Sequence, residues 1–348
     1  MTMNNNFLNN LLNSISVSGY EEQVQDIVEE EMKDYVDEVR RDEMQNVTCV
    51  INPNSDIRIM LSAHADEIGL MISNIREDGR LQVIDRGGIV PSTYPGHAIS
   101  IKTSKGIVYG VVEAYRELFK EKDLGTKQFL IDIGAKDRED ALSYVSIGDP
   151  IVLDTTIRKL ANDKFTARAL DDRLGVYIIM EAIKRAKKQG CTVGVYAAST
   201  TGEETTKTGA YWTSTRINPS MAIVVDVTYT SDCSGMDPAE MGTVLLGGGP
   251  VLCNSPIVVK ALNTKMEECA KTAGIQIQRE AASRLSYTDG DKIHFSNQGV
   301  PMVLVSIPLR YMHMPAEVAD EKDVEGFDEF IKQYQKGLAL ERVAIDVM

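Results

Sequence analysis

Between residues 21 and 35, apolar side chains recur at helical spacing: Val24, Ile27, Val28, Met32 and Tyr35. Ser18 followed by Glu21 has the form of a capping box, so a helix is expected from Glu21 to Tyr35. The apolar run Ile57–Ala63 comes next and ends at His64, reading as a buried strand. From about Gly69 to Pro150 the texture changes. Short β-like runs are punctuated by Asp78-Gly79, Gly87-Gly88, Pro95-Gly96 and Lys105-Gly106, with one short helix near Asp137–Tyr144. This predicts a small β-rich module. After Phe165 the two periods alternate. Helices are expected over Arg173–Lys187, Pro256–Ala273 and Asp323–Leu340, and strands over Cys191–Thr200, Met221–Val227, Ile275–Arg279 and Pro301–Ile307. Alternation of this kind specifies an α/β sheet covered by helices. The β-rich stretch, residues 69–160, is then an insertion, and residues 1–68 and 161–348 fold together around it.

Composition narrows the classes. The 348 residues are 43% hydrophobic and 25% charged, which is globular. The formal charge is −14, from 37 Lys and Arg against 51 Asp and Glu, which disfavours duplex nucleic acid and anionic membranes as partners. The first basic residue is Lys33, so the start lacks the basic region of a signal peptide, and no apolar run approaches the ~20 residues of a membrane span. The five cysteines form no C-x-x-C pair. A reduced, cytoplasmic chain is the expectation, and any metal must be held by histidine and carboxylate.

Candidate chemistry is positional. His64, the pair Glu203-Glu204, Asp226 and His313 all lie at or just after the carboxyl end of an expected strand, and Asp171-Asp172 opens the Arg173 helix. In open α/β sheets the ligand crevice lies outside those strand ends, so residues spread over the chain converge there. Taken singly, each has a structural reading. The histidines could be packing residues, Asp171-Asp172 a helix N-terminus, Glu203-Glu204 an exposed acid pair, and Asp226 a turn cap. Taken together, two histidines and three carboxylates suit a pair of divalent cations, with zinc, cobalt or manganese favoured over magnesium or calcium. His64 would be a ligand oriented by Asp66, and one acid of the Glu pair would face a water between the ions. Gly247-Gly248-Gly249 lacks the context of a phosphate loop. His97 and His294 read as structural, and Trp212 as helix packing.

Five motifs in order resemble the tetrahedral aminopeptidases, a family that includes deblocking and glutamyl aminopeptidases and endoglucanase M-like proteins. They are His64-Ala65-Asp66-Glu67-Ile68-Gly69, Ala169-Leu170-Asp171-Asp172-Arg173, Gly202-Glu203-Glu204, Val225-Asp226-Val227-Thr228, and Ile307-Pro308 through His313-Met314-Pro315. The resemblance implies a phosphorylase/hydrolase-like zinc-peptidase fold, a mixed sheet flanked by helices, with the insertion as a dimerisation domain. It implies a dinuclear aminopeptidase acting on short peptides, assembled from dimers into a tetrahedral dodecamer. His64 and Asp226 would bind one metal and Glu204 and His313 the other, with Asp171 bridging. Glu203 would be general base and acid on a bridging water, Asp66 would orient His64, and a cis peptide would precede Asp172. The chain departs from the family pattern at Ala65, Thr205-Thr206, Ser286-Tyr287-Thr288-Asp289 and Met314, all bordering the expected pocket. Asp289 there is either a turn residue before Gly290 or a contact for a basic group. Two other functions fit parts of the pattern. A glycoside hydrolase would use two carboxylates but give the histidines no purpose. A non-catalytic assembly protein of the same fold would be expected to lose ligands.

Overall fold

The computed structural model describes residues 5–325. It opens with α1 (Asn6–Asn13) and α2 (Glu22–Met32), then β1 (Glu38–Arg41), β2 (Val47–Ile51) and β3 (Arg58–His64). A closed barrel follows, built from β4 (Gly69–Ile75), β5 (Leu81–Arg86), β6 (Ala98–Thr103), β7 (Gly106–Val112), β8 (Leu130–Asp132) and β9 (Pro150–Leu153), with α3 (Arg138–Tyr144) before its last strand. The chain then forms β10 (Arg158–Lys159), β11 (Lys164–Ala167), α4 (Leu170–Lys188), β12 (Gly194–Thr200), α5 (Thr208–Ile217) and β13 (Met221–Tyr229). It continues through α6 (Pro238–Met241), β14 (Val251–Asn254), α7 (Lys260–Ala273), β15 (Gln278–Ala281), α8 (Gly290–Ile293), β16 (Met302–Leu309) and β17 (Glu317–Asp320).

Eight strands make one mixed sheet in the order β1-β2-β12-β3-β13-β16-β14-β15. Its centre, β12-β3-β13-β16, is parallel, while β2 and β14 run antiparallel to their inner neighbours. The central strands are covered on both faces, which is why they read as unbroken apolar runs rather than alternating ones. One face packs on α1, α2, α4 and α7 through residues such as Leu8, Val28, Ile179 and Leu262. The other packs on α5 and α8 through Ala210, Ile217 and Ile293. The barrel has its own core, with Leu70, Ile99, Phe129 and Ile131 inside. Together these make the α/β fold with a small closed β unit that the apolar pattern predicts.

Several expectations shift. The Ser18–Glu21 capping box does not form. Glu21 instead accepts from the amides of Gly19 (2.9 Å) and Gly202 (3.1 Å), and the Ser18 hydroxyl pairs with Thr205. Helix α7 starts at Lys260 rather than Pro256, because residues 255–258 form a turn closed by the Val258 amide on the Ser255 carbonyl, and the extended Val259 donates its amide to Met302 of β16. The strand expected at Ile275–Arg279 lies at β15, three residues on. Trp212 is 43% exposed on α5, edge-on to Tyr211, and not a packing residue of the core. Residues 321–325 are helical, and the rest of the helix expected over Asp323–Leu340 lies outside the described residues.

Candidate active site

Three adjacent parallel strands deliver the acids and the first imidazole. His64 is the last residue of β3 and pairs in register with Thr200 at the end of β12. Glu203 and Glu204 follow three and four residues later. Asp226 sits inside β13 rather than at its end. Asp171 comes from the start of α4, where Asp171 and Asp172 have non-helical dihedrals and the peptide between them is cis. Here the two readings of the acid pair divide. The Asp172 carboxylate accepts from the Gly175 amide (3.1 Å), an N-cap interaction, while Asp171 is turned to the crevice. A Cβ on Gly175 would lie 2.3 Å from the Asp172 carboxylate, so only glycine fits there.

Asp171 stands between the two histidines. Its Oδ1 lies 3.1 Å from His64 Nε2 and its Oδ2 3.2 Å from His313 Nε2. Around His64 Nε2 are also Glu203 Oε2 (3.9 Å) and Asp226 Oδ1 (4.0 Å), and Glu204 Oε1 is 3.4 Å from His313 Nε2. Two groups of side chains could therefore each hold a metal ion, His64-Asp171-Asp226 and Asp171-Glu204-His313, sharing Asp171. All the expected site residues come together here.

The outer ring nitrogens are fixed by backbone. His64 Nδ1 lies 3.1 Å from the Asp66 carbonyl oxygen and 3.5 Å from its carboxylate. That carboxylate accepts from the amides of Glu203 (3.0 Å) and Glu204 (3.1 Å), so Asp66 ties the first histidine to the Glu pair. His313 Nδ1 lies 2.9 Å from the carbonyl oxygen of Gly88, in the segment between β5 and β6. A Cβ on Gly88 would come within 3.1 Å of that ring.

Charge in the crevice is one-sided. Burial pushes Asp226 and Glu203 well above the usual carboxylate range; neighbouring acids add to the rise, and His64 opposes it. Burial also opposes a charge on the imidazoles, yet the carboxylates win. Asp171 and Asp66 hold His64 well above its ordinary value, and Asp171 and Glu204 push His313 up to about 12. The same two histidines outweigh burial at Asp171 and hold it well below its ordinary range. A lysine also reaches the cluster: Lys207 Nζ lies 3.0 Å from Glu203 Oε1. A cluster of buried carboxylates facing two imidazoles is the donor set that divalent cations stabilise.

Some supporting residues escaped the sequence reading. Glu317 is buried and bridges the halves of the site, accepting from the amides of His313 (3.0 Å) and Leu170 (2.8 Å). An acid set among Pro315, Ala316, Val318 and Ala319 was the available signal. Asp289 is buried and accepts from Ser62 (3.0 Å) and Thr200 (2.5 Å), beneath the strand ends rather than facing the cavity. The amides of Gly247 and Gly249 donate to the Asp323 carboxylate, so that glycine run carries an acid of the chain itself. His294 is tied to the Gly290 carbonyl, and His97 is exposed.

Residues 45–330 match the family described as M42 glutamyl aminopeptidase. The chain belongs to this family. The M42 assignment agrees with individual relatives. A lysyl aminopeptidase of Pyrococcus furiosus is 32% identical, over 90% of this chain and 92% of its own. The TET aminopeptidase of the marine sediment archaeon Thaumarchaeota archaeon SCGC AB-539-E09 superposes with a TM-score of 0.91 at 30% identity, covering 98% of both chains. The TET1 peptidase of Pyrococcus horikoshii, which can assemble into a tetrahedron or a large octahedral shell, gives 0.83 at 29% identity, covering 96% of this chain and 98% of that one. The mixed sheet with its closed barrel is therefore the fold of M42 peptidases. Among the described residues, no helix is long and apolar enough to cross a membrane.

Proposed function

We propose that this M42 chain is a dinuclear metallo-aminopeptidase that removes N-terminal residues from short peptides. The observation that carries the reading is Asp171, whose two carboxylate oxygens each face a different histidine at about 3 Å. His64 and Asp226 would hold one ion and Glu204 and His313 the other, with Asp171 shared between them. When bound, two divalent ions would acidify water, polarise a peptide carbonyl and stabilise the developing oxyanion. Imidazole with carboxylate suits zinc or cobalt, and manganese is an acceptable third.

The chain's own residues supply the proton transfers. Glu203 takes a proton from the attacking water and delivers it to the leaving amine. Burial raises its affinity for that proton, and Lys207 Nζ at 3.0 Å keeps the carboxylate available. Asp66 holds Glu203 and Glu204 in place through their amides, and the Asp66 carbonyl fixes the His64 tautomer. A glycoside hydrolase would use its acids without histidines between them, which the sharing of Asp171 by two imidazoles disfavours.

The barrel is the proposed assembly surface of a homo-oligomer, dimers building a tetrahedral dodecamer. Supporting this, Ile107, Tyr109 and Val111 of β7 point outward together and Tyr109 is 65% exposed. Light scattering of the purified chain checks the particle size. The test of the catalytic reading is Glu203→Gln in metal-loaded protein, assayed on aminoacyl-nitroanilides beside carboxymethylcellulose. Metal content should hold and the peptidase rate should fall by roughly 10²–10⁴-fold. A near-normal rate would remove Glu203 from the mechanism.

A further inference from the structure

A cavity of about 960 Å³, open to solvent, adjoins the metal-ligand cluster. Its walls divide by chemistry. Val227, Leu304, Ala281, Ala282 and Met312 are apolar, and among the described residues no lysine or arginine lines it. One acid on its wall belongs to no part of the machinery above: Glu280 of β15. Its carboxylate is held in place. Oε2 accepts from the Thr228 hydroxyl (2.5 Å) and Oε1 from the Ser306 hydroxyl (3.2 Å).

Both donors sit beside a site residue. Ser306 is paired in register with Asp226. Thr228 is two residues beyond Asp226 on the same strand and so on the same face of the sheet, ~7 Å along it. An extended lysine side chain reaches about 6 Å from Cα to Nζ. The cavity therefore has apolar walls for a methylene stem and a fixed carboxylate whose hydroxyl donors flank Asp226. Burial raises the Glu280 carboxyl above its ordinary range, and the Thr228 and Ser306 hydroxyls and the Cys253 thiol oppose that rise. An ionised carboxylate offers about four lone-pair positions and these three donors use three of them, so one remains for a cationic head, whose charge would also offset the burial.

We propose that Glu280 is the specificity-determining residue of this site, and that the cavity it lines selects peptides whose N-terminal side chain carries a cation. The inference rests on the aminopeptidase reading above. A lysine or arginine at the peptide's first position would lay its stem along Ala281, Ala282 and Met312 and pair its charge with Glu280. A neutral side chain of the same length would leave the buried Glu280 charge with its neutral hydroxyl and thiol donors and no cation to offset it. An acidic one would be repelled.

The test uses the full-length, metal-loaded protein with lysyl-, arginyl-, norleucyl- and glutamyl-nitroanilides. Lysine and norleucine differ only in the terminal ammonium, so their ratio in the wild type reads the pocket with no substitution. The expected result is a kcat/KM for lysyl over norleucyl of about 10–100-fold. Glu280→Gln keeps an acceptor oxygen for one of the two hydroxyls, offers the other an amide N–H to accept from, and removes the charge. It should collapse that ratio to within about twofold by lowering the lysyl and arginyl rates while the norleucyl rate holds. Equal loss on all substrates would make Glu280 a clamp between strands and overturn the proposal. So would a wild type with no preference for lysyl over norleucyl, and if Glu280→Gln fails to fold, that wild-type ratio still decides. Wild type that cleaves norleucyl but not lysyl substrate overturns the pocket assignment alone. Wild type that cleaves none of the four overturns the aminopeptidase reading as well.

Discussion

The two halves of the site are built differently. His64 and Asp226 come from neighbouring parallel strands in the middle of the sheet, and the His64 side chain is 2% exposed. Glu204 and His313 come from loops, the His313 side chain is 23% exposed, and its outer nitrogen rests on a carbonyl from a segment of the barrel. His313 also has a positive φ of 63°, a conformation that surrounding bonds must impose on a non-glycine residue. One half is fixed by the same packing that makes the sheet; in the other, Glu204 is tied through its amide to Asp66, and His313 is held by hydrogen bonds to Glu317 and Gly88. The contrast suggests a rigid position paired with an accessible one, where exchange and substrate entry would concentrate.

The largest effect should come from the residue that joins them. Asp171→Asn removes one charged oxygen facing either histidine. It should lower kcat/KM on the order of 10³-fold or more and reduce bound metal at both positions. Loss of metal at one position only would mean that Asp171 does not bridge. Next in size, the halves should separate on chelation. During dialysis against a chelator, metal content followed by mass spectrometry should fall in two phases, the first matching the position held by His313 and Glu204. His313→Ala should abolish the fast phase and leave the slow one. A single phase in the wild type would dissolve the contrast.

Glu317 tests the same contrast more gently. Its carboxylate joins the His313 amide to the amides at the start of α4. Glu317→Gln keeps one acceptor and loses the charge. Metal affinity at the accessible position should weaken about 10–100-fold, with the other position unchanged. Equal weakening at both would mean that Glu317 supports α4 as a whole rather than His313.

This contrast also separates what the sequence made legible from what it hid. The strand-borne residues could be read because unbroken apolar runs locate buried parallel strands, and polar residues at their ends are costly without a purpose. β3 running into His64 is the clearest case. The insertion was visible as a change of period at Gly69. The loop half was legible only as isolated residues. Nothing local to Gly88 says that its carbonyl meets a ring 225 positions away, and Glu317 bonds Leu170 across 147 residues. The capping-box reading of Ser18 and Glu21 failed for the same reason. The Glu21 side chain found a partner in Gly202, a tertiary contact that outcompeted the local one.

That displaced glutamate carries the smallest of the expected effects, at the loop that bears both glutamates of the site. Glu21 is buried at 4% exposure and its carboxyl is pushed up to about 8, by burial first and then by Asp66. In the unfolded chain it titrates near its ordinary value of 4.5. Between those two values the folded protein keeps a proton that the unfolded chain has released. Stability linked to this group is therefore greatest below about 4.5 and declines as pH rises through the window to about 8. Glu21→Gln retains an oxygen for the amides of Gly19 and Gly202 and has no charge to bury. Melting curves of metal-free protein should coincide for the two forms at pH 4.5, while at pH 8.5 the variant should melt higher by roughly 2–4 °C. A constant offset at both values would assign the effect to packing. Parallel curves with no offset would mean that Glu21 is not held against Asp66 in solution, and that the loop carrying Glu203 and Glu204 is as loosely tethered as the one carrying His313.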